Sequence, residues 1–235
     1  MTKVLVNFIQ DRSGSMGSVW DETLNGFRAF VKDLKENKEG IEYLFSLTTF
    51  DTITDTPVIA KPISEIAEDE LEKHGPRGST ALYDAVGATL KNTEGIQADK
   101  YICVIVTDGQ ENSSREWSKD ALQKAVEERL NKGNWTFTYL GTQPETWADA
   151  SAFGLNFGAA ATYTPTMARA AYSATAHAVR SLSSSACAGS RSLMADYVPD
   201  KMAASAGMRK NPSAPMNRPL PTPKAKPRSV SNRWR

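Results

Sequence analysis

The sequence predicts an α/β three-layer sandwich with a mostly parallel central sheet and a disordered C-terminal tail. Apolar runs of strand length alternate along the chain with segments whose apolar residues recur every three or four positions, as on the buried face of a helix. Several of the runs are apolar without alternation, which is typical of strands covered on both faces of a sheet. Parallel neighbours need a crossover of about a dozen residues or more, and the helical segments supply it.

The first four elements follow this pattern from the N-terminus. Residues 4–9 are almost all apolar and predict a buried strand, and residues 20–34 carry large apolar side chains at spacings of four and three. Gly40 ends that helix. Residues 43–50 predict a second strand, and residues 56–61 a short third strand with a proline near each end. Because proline cannot donate a ladder hydrogen bond, the third strand belongs at an edge of the sheet.

The middle of the chain predicts two more helices and two more strands. A turn-rich loop at residues 75–80 follows an acidic polar segment and leads into a helix at residues 82–90. Residues 101–106 form the most hydrophobic strand of the chain, so we place it at the centre of the sheet. A helix at residues 122–130 and a strand at residues 135–140 follow.

Three weaker elements complete the predicted domain. They are a short helix at residues 147–153, a final strand at residues 159–163 and an Ala-rich helix at residues 167–182. From about residue 183 the periodicity gives way to Ser, Ala and Gly. The predicted organisation is a folded domain at residues 1–183, a Ser/Ala-rich linker at residues 184–208 and a basic, Pro-rich tail at residues 209–235.

The predicted tail differs in charge from the rest of the chain. It contains eight Lys and Arg residues and no Asp or Glu, so the 208 residues before it carry a formal charge of −7 although the whole chain carries +1. It is rich in proline and poor in large apolar residues, so we expect disorder. Its charge fits contact with nucleic acid or another polyanion, and equally a solubilising tail, because charge alone carries no specificity.

Several classes of protein are excluded by composition. The first apolar run is too short for a signal-peptide core or a membrane span, so we expect a cytoplasmic protein. The two cysteines, Cys103 in a strand run and Cys187 in a Ser/Ala-rich segment, indicate neither a disulfide framework nor a thiolate metal site.

Five oxygen-bearing side chains follow predicted strands or precede a helix. Asp11, Ser13 and Ser15 come directly after the first strand, Asp108 follows the central strand, and Thr80 precedes a helix. Loops at the carboxyl ends of parallel strands face one crevice, so all five can reach one point. Carboxylates and hydroxyls are ligands of hard cations such as Mg²⁺, and the lack of a nearby Cys or His argues against zinc.

This constellation resembles the metal-ion-dependent adhesion site of the von Willebrand factor type A family. The pattern of that site is Asp-x-Ser-x-Ser, a downstream Thr and a downstream Asp, and all five positions match here. Flanking residues agree as well, with Met16 after the turn and runs 78–85 and 106–109 similar to bacterial and phage members. The resemblance covers roughly residues 3–183 and leaves out the tail.

The resemblance implies both a fold and a chemistry. It implies a Rossmann-like sandwich with one antiparallel edge strand, which would be residues 56–61. It also implies bound magnesium or manganese, with hydroxyls in direct contact and one or both aspartates acting through water. Neutral hydroxyls cancel no charge, so the ion stays electrophilic and favours an anionic ligand, such as a partner's Asp or Glu carboxylate.

Simpler roles compete with these at several positions. The first three site residues, taken alone, also fit a turn that caps a helix. Asp84 fits a carboxylate that interacts with the dipole of its own helix better than one that orients a metal ligand. Arg12 is expected to be an exposed loop residue with no fixed role, and Asn112 or Ser113 to be the N-cap of the following helix.

The function predicted from these observations is metal-dependent protein binding without catalysis. A magnesium-dependent phosphohydrolase is an alternative, because magnesium with two carboxylates also supports phosphoryl chemistry. Ser13 stands where a phosphatase of the haloacid-dehalogenase type has a second Asp, and these loops offer no evident general base. A third possibility is an assembly factor tethered to nucleic acid by the basic tail.

Overall fold

A seven-stranded mixed sheet forms the middle layer of the molecule. The structure, a computed structural model, describes residues 1–36, 40–142, 160–185, 204 and 208–210. The strand order is β3-β2-β1-β4-β5-β6-β7. The strands are β1 (Thr2–Asp11), β2 (Ile41–Phe50), β3 (Thr54–Pro62), β4 (Lys100–Thr107), β5 (Trp135–Gly141), β6 (Ala160–Thr162) and β7 (Arg209–Lys210).

The sheet is mostly parallel, with antiparallel pairing at its edges. Strands β2, β1, β4, β5 and β6 pair in parallel, and β3 pairs antiparallel with β2. The predicted α/β sandwich, the central position of β4 and the antiparallel edge strand β3 are therefore confirmed. The sequence did not predict β7, which pairs antiparallel with β6 at the opposite edge. A strand of two residues offers no periodicity to detect.

Within the described residues, four α-helices cover the two faces of the sheet. They are α1 (Trp20–Lys35), α2 (Leu82–Asn92), α3 (Lys119–Asn131) and α4 (Ala168–Ser184). One buried cluster joins the sheet to α1 and α4, and a second joins it to α2 and α3. This gives the three predicted layers. The acidic polar segment contains two short 3-10 helices, Ile63–Glu65 and Glu70–Lys73.

Strand β1 shows why the central strands are apolar throughout. Val4, Val6 and Phe8 belong to the cluster under α1 and α4, whereas Ile9 belongs to the cluster under α2 and α3. A strand in the middle of a three-layer sandwich buries both of its faces, so the alternation seen in half-exposed strands disappears. Phe8 packs edge-on against Phe27 of α1 with ring centroids 5.4 Å apart.

Helices α1 and α4 approach each other closely at Gly26. A Cβ atom added there would lie 2.8 Å from the ring of Tyr172 in α4, so only glycine allows this separation. Tyr172 is fully buried and donates a hydrogen bond of 3.2 Å to Gln10 Oε1 of β1. The contact joins α4 to the strand that leads into the Asp11 turn.

The opposite end of α4 is held by a buried lysine. Lys100, at the start of β4, donates hydrogen bonds from Nζ to the carbonyl oxygens of Leu182, Ser183 and Ser185 at 2.7, 3.1 and 2.7 Å. The last carbonyls of a helix have no partners inside the helix and carry partial negative charge, so a cation satisfies them. This contact joins the C-terminal end of α4 to the centre of the sheet.

Some predicted features lie outside the residues that the structure describes. These are the helix at residues 147–153, Cys187, most of the predicted linker, and the tail from residue 211 onward. Met208 is described and lies buried in the cluster under α1 and α4. None of the described helices combines the length and the hydropathy needed to cross a membrane.

Candidate metal centre

Three loops meet at the carboxyl edge of the sheet. The parallel register aligns the ends of the strands there, with Asp11 of β1 opposite Phe50 of β2 and Thr107 of β4 opposite Gly141 of β5. The loop after β1, the loop after β4 and the loop that leads into α2 all lie at this edge. These loops carry the five side chains selected in the sequence.

The loop after β1 folds back on its own carboxylate. The backbone N–H of Ser13 donates a hydrogen bond of 2.6 Å to Asp11 Oδ1, and the hydroxyls of Ser13 and Ser15 lie 3.1 Å apart. A short 3-10 helix, Gly14–Val19, begins within this turn. Gly14 N–H also donates to the carbonyl of Gly78 at 3.0 Å, which fastens the turn to the loop before α2.

Two hydroxyls connect this turn to the end of β4. Ser15 Oγ donates a hydrogen bond of 2.8 Å to Asp108 Oδ1, and Thr107 Oγ1 donates one of 2.5 Å to Asp11 Oδ2. Asp108 therefore accepts a hydrogen bond from the turn after β1, and Asp11 accepts one from the end of β4. The two aspartates are held toward one another by neutral donors, with no cationic side chain between them in these contacts.

Thr80 completes the group through its position opposite Gly109. Its backbone N–H donates to Asn112 Oδ1 at 2.9 Å, which fixes the loop before α2 against the loop after β4. A Cβ atom added to Gly109 would lie 3.2 Å from Thr80 Oγ1, 3.5 Å from Ser15 Oγ and 3.9 Å from Asp11 Oδ2. Oxygens from the loop after β1 and from the loop before α2 thus border one small space beside Gly109 of the loop after β4.

The carboxylate of Asp11 is fully buried and that of Asp108 is partly buried. Burial raises the pKa of Asp11 from 3.8 to about 6, although hydrogen bonds from Thr107 and Ser13 lower it, and the nearby charge of Asp108 adds to the rise. Burial also raises the pKa of Asp108, and the hydrogen bond from Ser15 opposes that rise. Raised pKa values at adjacent carboxylates mark a place where a cation is electrostatically favourable.

The donor set fits a hard divalent cation. Two carboxylates and three hydroxyls are oxygen ligands of the kind that Mg²⁺ and Mn²⁺ accept, and the space beside Gly109 is bordered by three of them. Within the described part of the chain, no cluster of three or more His, Cys, Asp or Glu residues could hold a metal ion. The hydroxyls are therefore needed to complete any site here.

Arg12 does not have the exposed position expected for it. Its side chain is 7% exposed, and Nε lies 3.1 Å from Asp51 Oδ2. Arg77 Nε donates to the same oxygen at 2.9 Å, and Arg77 N–H donates to the carbonyl of Arg12 at 2.8 Å. Asp51 directly follows β2, so it connects the end of that strand to two loops of the site.

The loop after β4 also differs from expectation. The N-cap of α3 is Ser118, which accepts from Ala121 N–H, and neither Asn112 nor Ser113 has that role. Asn112 instead holds Thr80, as described above. Asp84 accepts the backbone N–H groups of three consecutive residues, at distances between 2.8 and 2.9 Å; these are Arg115, Glu116 and Trp117.

Sequence analysis missed several residues that shape the site. Asp51 directly follows a predicted strand, as Asp11 and Asp108 do. The same criterion, an acidic residue at the carboxyl end of a strand, therefore also applies to Asp51. Thr107 belongs to an apolar strand run, and nothing in the pattern separates it from other threonines. The role of Gly109 depends on distances across three loops, which a sequence does not contain.

Comparison with known proteins identifies the fold. No protein-family model matches the sequence, and no curated protein matches it. A solved structure of a von Willebrand factor type A protein from Catenulispora acidiphila superposes with a TM-score of 0.56 at 15% identity, covering 77% of this chain and 43% of that one. The chain has the von Willebrand factor type A fold.

Two other solved structures align with this type A fold. The PilB minor pilin from Streptococcus sanguinis gives a TM-score of 0.59 at 13% identity over 76% of this chain and 61% of the pilin. The manganese-loaded TRAP protein of Plasmodium vivax gives 0.52 at 16% identity over 73% of each chain. The chain thus spans less than two thirds of the first two of these structures, and the likeness concerns the fold alone.

Proposed function

We propose that this type A domain is a non-enzymatic protein-binding module. In this proposal Asp11, Ser13, Ser15, Thr80 and Asp108 bind Mg²⁺ or Mn²⁺, and the bound ion recognises a carboxylate of a partner protein. The observation that carries the proposal is the space beside Gly109 of the loop after β4, which oxygens of Asp11, Ser15 and Thr80 from the two other loops border at 3.2 to 3.9 Å from a Cβ placed there.

The balance of charges supports a partner that brings an acid group. The donor set contains two carboxylates and three neutral hydroxyls, so the ligands at most balance the charge of a divalent ion and leave no excess negative charge to repel an acid group. When bound, the ion supplies a Lewis-acidic position that favours an anionic oxygen. The hydrogen bonds from Ser13 N–H and Thr107 to Asp11 withdraw further charge from that carboxylate.

The protein orients its candidate ligands before any ion binds. Asp11 is fixed through both of its oxygens, Ser15 through Asp108, and the Thr80 loop through Asn112. Such supporting hydrogen bonds raise metal affinity because the ligands lose less freedom on binding. The manganese-loaded TRAP structure, which has the same fold, supports a divalent cation in this proposal.

A direct test uses a fluorescent peptide with one Glu among Gly and Ser residues, and a matched peptide with Gln in its place. We expect the Glu peptide to bind in magnesium and to lose binding in EDTA. The Gln peptide should not bind. Asp11→Asn should abolish binding, whereas Asp69→Asn, which changes an exposed aspartate next to a short 3-10 helix, should leave it intact.

Two results would count against the proposal. Equal binding of the Glu peptide in magnesium and in EDTA would exclude a role for the ion. Magnesium-dependent hydrolysis of a simple phosphate monoester, lost in Asp11→Asn, would instead support the phosphohydrolase alternative.

A further inference from the structure

An exposed isoleucine lies at the same edge of the sheet as the candidate metal centre. Ile53 is 62% exposed, more than any other large apolar side chain of the described residues except the N-terminal Met1. It follows Phe50 of β2 by three positions, and Phe50 is the register partner of Asp11. An isolated exposed isoleucine is ordinary by itself, so its surroundings decide its significance.

The turn that carries Ile53 is held rigidly. Ile53 N–H donates to Asp51 Oδ1 at 2.9 Å, and Asp51 N–H donates to the carbonyl of Ile53 at 3.1 Å. Ser79 N–H donates to Thr52 Oγ1 at 2.9 Å, which binds the turn to the loop that carries Thr80. A contact on a rigid turn loses little entropy when a partner binds, so this isoleucine is preorganised for contact.

Positive charge lies on the other side of the same buried aspartate. Asp51 Oδ2 is shared by Arg12 and Arg77, so one negative charge faces two positive charges and the cluster keeps a net charge of +1. Arg12 is buried, but the side chain of Arg77 is 61% exposed. The free positive charge at this edge is therefore presented by Arg77, and it complements an acidic partner.

A groove lies beside Ile53, between the turn after β2, helix α2 and the loop after β4. Its volume is about 460 Å³, and its lining includes Ile53, Ala88, Arg115 and the two acidic residues Asp84 and Glu116. Ser113, which also lines the groove, donates its N–H to the carbonyl of Thr80 at 3.2 Å, so the groove borders the loop that carries Thr80. Because two carboxylates line it, the groove suits an uncharged part of a partner segment, and Arg77 is the position for a second acid group.

We propose that Ile53, Arg77 and this groove form the specificity surface of the binding site, and that its occupant is an extended acidic segment of a partner protein. One carboxylate of the segment binds at the ion, an aliphatic side chain packs on Ile53, and a second carboxylate pairs with Arg77. The inference rests on the proposed function and adds the chemistry of the partner to it.

The test uses peptides that share a central Glu. In the first set, one Ser residue near the central Glu is replaced by Leu, at a different position in each peptide. In the second set, the same positions are replaced one at a time by a second Glu. We expect the best-placed Leu to tighten magnesium-dependent binding about tenfold, and the best-placed second Glu about threefold. Ile53→Ser should remove the gain from Leu, and Arg77→Gln the gain from the second Glu.

Matched controls are available elsewhere on the chain. Ile59, which is 48% exposed in β3, gives Ile59→Ser as the control for Ile53→Ser. Lys132, exposed just after α3, gives Lys132→Gln as the control for loss of a positive charge. Each of these control variants should keep the gain in affinity from Leu and the gain from the second Glu. Ile53→Ser should unfold at the wild-type temperature because its side chain is largely exposed.

The possible failures are distinguishable. Suppose that the single-Glu peptide binds only with magnesium. If Ile53→Ser then keeps the gain in affinity from Leu, or loses that gain only together with its affinity for magnesium, this inference is wrong and the proposed function stands. If no acidic peptide binds in a magnesium-dependent way, both fail. If a short single-stranded oligonucleotide binds instead, with affinity that falls in Ile53→Ser and Arg77→Gln, the occupant is nucleic acid and the inference is overturned.

Discussion

Thr107 Oγ1 donates a hydrogen bond of 2.5 Å to Asp11 Oδ2, which joins the last residue of β4 to the last residue of β1. The bond lies directly beneath the candidate metal centre, because Asp108 follows Thr107 in the chain. It holds the Asp11 carboxylate in one orientation and lowers its pKa against the larger effect of burial. Thr107 thus positions Asp11, a candidate metal ligand, through a hydrogen bond between two neighbouring strands.

Thr107→Val is expected to weaken magnesium binding about tenfold, because the valine keeps the shape but removes the donor to Asp11. The pKa of Asp11 should rise further, since a hydrogen bond to its ionised form is lost. Calorimetric titration measures the affinity. Thr136→Val, at another buried threonine in β5, is the control and should bind magnesium as the wild type does. Equal affinity of the two variants would contradict this role.

Gly109→Ala is expected to reduce magnesium affinity by about tenfold or more, because the added methyl group would lie 3.2 Å from Thr80 Oγ1 in the space between the ligands. Gly17→Ala is the matched control, since a Cβ there would have no neighbour within 4 Å. Both variants are titrated with magnesium under the same conditions. Unchanged affinity in Gly109→Ala would show that the ion binds elsewhere.

Magnesium affinity should depend on pH through Asp11. Protons compete with the cation for this carboxylate, whose pKa burial raises to about 6. Affinity should therefore be nearly constant above about pH 7 and about tenfold weaker near pH 5. Titrations across this range measure it. A constant affinity would contradict the assignment of Asp11 as a ligand.

As the pH rises, the free energy of unfolding of the metal-free protein should decrease, whereas magnesium affinity increases. The folded-state pKa of Asp11 lies above the ordinary value, so the ionised carboxylate destabilises the folded protein. This cost is absent below about pH 4 and complete above about pH 6, where it amounts to about 3 kcal/mol. Urea unfolding in EDTA measures the free energy of unfolding at each pH. Its decrease between about pH 4 and pH 6 should be smaller in Asp11→Asn than in the wild type.

Lys100→Met is expected to lower the free energy of unfolding by about 2 to 3 kcal/mol, because three carbonyls at the end of α4 lose a charged donor. Urea unfolding measures the loss. Lys124→Met, at an exposed position of α3, should change stability by less than about 0.5 kcal/mol. Magnesium affinity should stay at the wild-type value, since Lys100 lies at the start of β4 and the site at its end.

Patterns of burial allowed much of the fold to be predicted. Apolar runs located β1 and β4, and helical spacing located α1, because each of these features depends on which residues face the core. Two prolines predicted that β3 is an edge strand, and β3 does lie at an edge of the sheet, where one side of the strand has no neighbour and a missing N–H costs no ladder hydrogen bond. These signals are local in sequence, and sequence analysis detects them for that reason.

Contacts between distant loops were not predictable in the same way. Arg12 follows a strand in a polar turn, which indicates exposure, yet Asp51 draws it into the interior. Asn112 has the chemistry of an N-cap, but Thr80 N–H competes for its side-chain oxygen. In both cases the partner comes from a loop that only the folded sheet brings near.

Calorimetric titration of magnesium and manganese into EDTA-stripped protein tests the central claim most directly. We expect one ion per chain for the wild type and for Asp69→Asn, with no detectable heat of binding for Asp11→Asn. Absence of binding by the wild-type protein, or equal binding by Asp11→Asn, would contradict the proposed metal centre and the function built on it.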